Sequence, residues 1–254
     1  MDRHFSKIAK KYRHLRTTDS EPISVIVDKL KNLYHVEAVD VGCGAGRYDL
    51  LLLKHLGDRL NLTCLDANAE MLKSLVKYLK EQDISNFSAR QSVAENMPFK
   101  DNSLDCVCTF NAVHHFSLPG FLAESARVVN SGGYIFIYTR LREQNEKNIW
   151  GLYFPGFNEK ETRLYTMDMM IESIARADGI EIESIVFFAY SRAAALEELL
   201  KRAESHHYST FSLYSPAELE EALQTFSVKI RDQFEDPEKV HWFDENILFV
   251  IKKA

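Results

Sequence analysis

Few features of this 254-residue sequence would mark a secreted, membrane-spanning or polyanion-binding protein. There are only four cysteines, and they have no metal or disulfide spacing. Cys43 lies in a glycine run and Cys64 in a later apolar run. Cys106 and Cys108 are two apart, which on a strand puts both on one face and is not a zinc-ligand spacing. All four read as reduced, mostly buried thiols of a cytosolic protein. No apolar run approaches the roughly 20 residues needed to cross a bilayer, and no signal peptide opens the chain, so a cytoplasmic location is expected. Basic residues are outnumbered 31 to 37, and the net charge of −6 argues against a polyanion as the main partner. The one basic stretch, KIAKKYRHLR, reads as a solvated helix face. Internal repeats and low-complexity segments are missing as well.

What is present is ordinary globular material, 46% hydrophobic and 27% charged, in a chain long enough for one large domain with a cap. Short apolar runs alternate with helical patterns through the first half. Strands are expected at 36–41, 60–65, 87–91, 105–110 and 134–139, and helices at 47–56, 69–79 and 121–129. Such alternation implies parallel strands with helices on both faces. After Arg140 comes a polar, aromatic-studded connection, then a helix over 167–177 and a strand over 180–189. Two helices, at 193–204 and 216–226, precede a last strand at 247–251. Residues 190–240 therefore read as a helical insertion capping the substrate site of a single domain, because ligands sit beyond the carboxyl ends of such strands.

The stretch VDVGCGAGRYDL carries the chemistry. Gly42, Gly44 and Gly46 end a strand and open a helix, where a Cβ would obstruct a tight turn or a ligand. A dinucleotide fingerprint needs its third glycine at position 47, which is Arg47. Asp40, two residues before the first glycine, would repel a pyrophosphate and suit a ligand bearing an ammonium group. Asp66, at the end of the second strand, reads either as an acceptor for both ribose hydroxyls or as the N-cap of the next helix. Met71 reads as an adenine-lining or a core residue.

DVGCGAGRY, LDANAEML, AENMPF, LDCVCTFNAVHHF and ARVVNSGGYIFI together resemble the class I S-adenosylmethionine-dependent methyltransferases, in particular the ubiquinone/menaquinone-type small-molecule group. The resemblance covers about residues 1–190 and resumes at the final strand. It implies a Rossmann-like, seven-stranded, mostly parallel sheet with helices on both faces, an antiparallel last strand and the helical cap. It also implies S-adenosyl-L-methionine as cofactor. Asp40, Gly42, Cys43, Gly44 and Gly46 would hold its methionine end, Asp66 its ribose, and Ala67 and Met71 its adenine. Ala94 and Glu95 would cover the adenine edge, and Asn111 would lie near the amino-acid moiety or the sulfonium. Tyr12 and Arg16 of the lead-in helix would close over the cofactor. Val93 stands where the family often has an aspartate for the adenine amino group.

Methyl transfer from a sulfonium depends mainly on proximity and orientation, and needs a general base only when the acceptor must lose a proton. His114 and His115 are the candidates, with structural use of both as the alternative. Asn111-Ala112-Val113 lacks the N/D-P-P-aromatic pattern of nucleic-acid amino methylation, so a small-molecule acceptor is expected. An RNA or protein acceptor, a silent cofactor-binding scaffold and an NAD-linked oxidoreductase are the alternatives. Trp150, Tyr153, Phe154, Phe157, Tyr208 and Phe211 read as packing or as an acceptor pocket, with Arg163 and His207 as possible acceptor contacts. Oligomeric state is not legible.

Overall fold

The computed structural model of the chain describes residues 17–254, so Tyr12 and Arg16 lie outside the described residues. β1 (Val36–Val41) is buried at five of its six positions, as expected of a strand covered on both faces. β2 (Leu60–Asp66) pairs with it on one side and β4 (Leu104–Phe110) on the other, both in parallel. β3 (Phe87–Gln91) extends β2, and β5 (Val129–Thr139) extends β4, again in parallel. β7 (Val240–Lys253) runs antiparallel along β5, with Tyr134 opposite Lys252 and Thr139 opposite Ile247. With β6 (Ile180–Ala194) at the edge, the sheet has seven strands in the order β3-β2-β1-β4-β5-β7-β6.

Between these strands, α1 (Glu21–Lys29) packs on α2 (Arg47–Leu56), which carries the chain from β1 to β2. α3 (Ala69–Glu81) carries it from β2 to β3, and α4 (Leu118–Val128) from β4 to β5. Right-handed crossovers that leave β1 in opposite directions place α2 and α3 on one face and α4 on the other. The order therefore reverses between β1 and β4, and at that switch point a crevice opens above the carboxyl ends.

Three strands run longer than expected for a local reason. β5 starts at Val129, five residues early, and takes Asn130 to Gly133 into the strand across a register shift against β4. Gly132, at φ +79°, supplies the irregular backbone. β6 and β7 also run longer than their apolar runs, because their additional residues alternate between buried and exposed positions.

The described chain divides into two compact units. The first holds residues 17–139, Met167–Val186 and Ile247–Ala254, and the second Arg140–Thr166 and Phe187–Asn246. In the second unit α5 (Arg142–Glu146), α6 (Ile149–Tyr153) and α7 (Phe157–Lys160) are short. α8 (Met167–Ala175) returns to the first unit. α9 (Leu196–Glu204) and α10 (Pro216–Gln233) follow in the second.

Aromatic rings fill the core of the second unit. Trp150 stacks on Phe226 at 5.3 Å and meets Phe211 edge-on at 5.2 Å, and Phe154 and Phe157 complete the cluster. Packing is therefore the role of Trp150, Phe154, Phe157 and Phe211, with Tyr153 and Tyr208 at the margin. Arg163 is held by the buried Glu161 and by Ser209, and His207 is buried against Trp150.

Candidate functional site

Local backbone chemistry shapes the first strand end. Gly42 has φ +74°, and a Cβ there would stand 2.6 Å from the Ala112 Cβ and 2.8 Å from Cζ of Phe116. Only glycine lets the β1 turn pass so close to the β4 turn. The amides of Gly42 and Cys43 donate to the Leu65 carbonyl at 2.7 and 3.1 Å, tying the loop to β2. Gly46 does a different job. It opens α2 at φ +85° against Leu75 of α3 and is not among the residues that line the crevice.

At the second strand end, Asp66 accepts the Gly44 amide at 2.9 Å through Oδ2 and the Asn68 amide at 2.7 Å through Oδ1. The helix cap itself is Asn68, whose Oδ1 accepts from Glu70 and Met71 at 3.0 and 3.1 Å. Asp66 is thus free of the capping role and braces the glycine loop.

The third wall comes from the segment that crosses from β3 to β4. Arg127 of α4 fastens it, donating to the carbonyls of Phe99 and Met97 and to Asp101 at 2.7 to 3.1 Å. Glu124 accepts the Met97 amide and binds the same guanidinium. Ala94 is buried and Val93 is half exposed. Glu95 lines the crevice, but its Oε1 accepts the Ser117 amide at the start of α4, a contact no local pattern announces. After β4, Asn111 takes φ +53°, a strained conformation for a side chain other than glycine. A 3₁₀ turn over Val113–His115 follows, with the His114 and His115 rings 4.0 Å apart.

These strand ends enclose a cavity of about 380 Å³, within the size range of small-molecule sites. Its lining includes Asp40, Gly42, Cys43, Gly44, Asp66, Ala67, Met71, Ala94, Glu95, Asn111, His114 and His115. Ala45, Arg47, Asn68, Ser92, Ala112 and Phe116 join them and had no signal of their own in the sequence. Arg47 donates to the Thr17 carbonyl and the Thr18 hydroxyl, at 2.8 and 3.0 Å. Met71 is both a buried residue of α3 and part of the lining.

The electrostatics are acidic. Asp40 is 1% exposed, and its Oδ1 meets no hydrogen-bond partner. Burial pushes its carboxyl well above the usual range, with Asp49 and Asp66 adding to the rise. Burial likewise pushes the thiols of Cys43 and Cys64 up, so neither is a ready nucleophile. Among the described residues no group of three or more His, Cys, Asp or Glu side chains is placed to hold a metal ion, and no helix is long and apolar enough to cross a membrane.

S-adenosylmethionine fits this cavity on three observations. The glycine turn leaves room where a Cβ would intrude. Asp40, a buried acid with an unmet oxygen, borders the cavity and would suit a ligand's cation. A second carboxyl group, that of Asp66, borders the cavity at the neighbouring strand end.

Comparison with known proteins gives the same answer. Residues 39–137 match the family model described as a methyltransferase domain. A phthiotriol/phenolphthiotriol dimycocerosates methyltransferase of Mycobacterium tuberculosis is 36% identical over 132 residues, 47% of this chain and 46% of its own length. YcgJ of Bacillus subtilis, an uncharacterized methyltransferase, is 28% identical over 131 residues, 51% of each chain. Its crystal structure superposes with a TM-score of 0.64 at 16% identity, covering 93% of this chain and all of YcgJ. Geranyl diphosphate C-methyltransferase of Streptomyces coelicolor, solved with S-adenosyl-L-homocysteine, gives 0.58 at 16% identity, covering 92% and 76%. The chain spans about half the length of the curated relatives it matches. Residues 39–137 thus carry a methyltransferase domain, and the strand order and the acid-lined crevice at the switch point suit S-adenosylmethionine as its cofactor.

Proposed function

We propose that this protein transfers a methyl group from S-adenosylmethionine to a small-molecule acceptor. The carrying observation is the cavity at the ends of β1 to β4, with Asp40 and Asp66 at the glycine loop. Bound there, the cofactor supplies a methyl group on a sulfonium, an already activated leaving group.

The protein's own residues bind, orient and exclude water. In this reading Asp40 and the turn at Gly42, Cys43 and Gly44 meet the cationic methionine end, and Asp66 accepts from the ribose hydroxyls. Ala67, Met71, Ala94 and Glu95 flank the adenine. Asn111 directs the amino-acid moiety toward the β4 end, where His114 and His115 face the acceptor. One of the two histidines takes a proton when the acceptor atom must lose one, and otherwise both act by position.

A small acceptor is favoured by the net charge of −6, and by relatives whose names specify a lipid and an isoprenoid diphosphate. The capping role expected of residues 190–240 belongs to the same proposal. Four free cysteines suit a reducing compartment, and we place the protein in the cytoplasm on that ground.

Incubation with a radiolabelled methyl donor and a cell extract tests the reading. Label in a protein-free, nucleic-acid-free organic or aqueous fraction is expected. Label confined to RNA or protein would overturn the small-molecule acceptor, and no label from any extract would favour a silent binding scaffold.

A further inference from the structure

Ser117 is the N-cap of α4, yet its side chain makes no capping hydrogen bond. In a capping box the third helical residue is a glutamate or glutamine that reaches back to the amide of the cap. That third residue is Gly120, which has no side chain to offer. Glu95 takes its place from the segment between β3 and β4: its Oε1 accepts the Ser117 amide at 2.6 Å. Gly120 also makes room for it, since a Cβ at position 120 would stand 2.8 Å from Cγ of Glu95 and 3.3 Å from its Cβ. The box is thus completed from 22 positions away, with a carboxylate at the positive end of the helix.

This bond joins two walls of the cavity. On the first wall, the Asn96 amide donates to the Val93 carbonyl at 3.2 Å and the Ser92 hydroxyl to the Asn96 carbonyl at 2.7 Å, which holds Glu95 in a tight turn. On the second, the amides of His115 and Phe116 donate to the carbonyls of Ala112 and Val113 at 2.8 and 3.1 Å. Phe116 alone separates that 3₁₀ turn from Ser117, and its ring packs 5.4 Å from the buried Phe121 of α4. Val93, Glu95, His114, His115 and Phe116 all line the cavity. A shift of the Ser117 amide therefore carries the histidine turn with it.

We propose that Glu95 is a positioning residue for the acceptor end of the cavity: by capping α4 from the opposite wall it sets the place of His114 and His115, and it does not read the adenine amino group. The inference rests on the reading of the cavity as the cofactor site.

The ring signals of His114 and His115 in NMR spectra of the full chain test the positioning role without any ligand. Glu95→Ala should shift both signals. Glu95→Gln, whose amide oxygen can still accept from Ser117, should return them to their wild-type positions. Gly120 is not among the lining residues, but Gly120→Ala crowds Cγ of Glu95, so it should shift the same two signals in the same direction. Adding Gly120→Ala to Glu95→Ala should shift them no further. Unmoved signals in Glu95→Ala, or a glutamine variant that behaves like the alanine one, would overturn the positioning role. Calorimetric titration with S-adenosylhomocysteine and with its inosine counterpart, which has an oxo group in place of the adenine amino group, tests the other half. Glu95→Ala should weaken both ligands by the same factor. A loss about tenfold greater for the adenosyl ligand would make Glu95 the reader of the amino group and overturn the proposal. Failure of the wild type to bind either ligand would instead overturn the cofactor reading of the cavity, while the histidine signals would still decide the role of Glu95.

Discussion

Substituting Gly42 by alanine should damage both the fold and the cofactor site, by an amount the structure lets us divide. The backbone part comes from φ +74°, where an L side chain costs about 1–2 kcal/mol relative to glycine. The packing part comes from a Cβ placed 2.6 Å from Ala112 and 2.8 Å from Phe116. Carbon atoms rest best about 3.5–4.0 Å apart, so the neighbours must retreat by roughly 1 Å. Overpacking of this kind costs about 1–3 kcal/mol. The sum for Gly42→Ala is about 2–5 kcal/mol. Gly57 is the control: it has φ +58° and ψ −138°, but a Cβ there meets nothing within 4 Å, so Gly57→Ala should cost only the backbone part, about 1–3 kcal/mol. Ala112 and Phe116 line the cavity, so the same displacement should weaken S-adenosylhomocysteine more than tenfold in Gly42→Ala and leave it unchanged in Gly57→Ala. Urea unfolding followed by circular dichroism gives the first comparison, and calorimetric titration the second. Equal stability losses and equal affinities in the two variants would refute the close approach of the β1 and β4 turns as the reason for this glycine.

Three further outcomes follow from particular contacts. Asp66→Ala removes the acceptor of the Gly44 and Asn68 amides, so cofactor affinity should fall at least tenfold, about 1.4 kcal/mol or more, with a smaller loss in melting temperature; unchanged titration would dissociate Asp66 from the ribose. In the second unit, burial raises the Glu161 carboxyl, but the hydrogen bonds from Arg163 and Thr210 outweigh it and leave the group below its usual range. The stability it contributes is present above the ordinary glutamate value, about 4.3, and is lost as pH falls through the depressed folded value. Glu161→Gln should therefore cost about 3 kcal/mol at pH 7, the low end for a buried pair, and flatten the acid limb of the stability curve below about pH 4. Finally, S-adenosylmethionine should bind with micromolar affinity and NAD should produce no heat; the reverse result would break the case for the adenosyl donor.

Much of the site was readable before any coordinates, because its markers are local. Asp40, the glycines and Asp66 lie at strand ends, and strand ends follow from apolar runs of period two that stop at glycine or a polar residue. Asn68 was passed over as the cap in favour of Asp66, although a cap is also local, because Asp66 has a second claim that only its bond to Gly44 makes visible. Gly46 was grouped with its neighbours by spacing, while its role is to let α2 approach Leu75.

The linear pattern alone determined the order of strands and helices, the glycine turn and the two acids beside it, since each depends on neighbours within about one turn of chain. Only tertiary contact decided the rest. Glu95 reaches Ser117 across 22 positions, and Arg127 holds the crossing segment from about 28 positions away. The aromatics of the second unit turned inward for the same reason: Trp150 and Phe226 can share a core only once the chain between them has folded back, and no periodicity records that return.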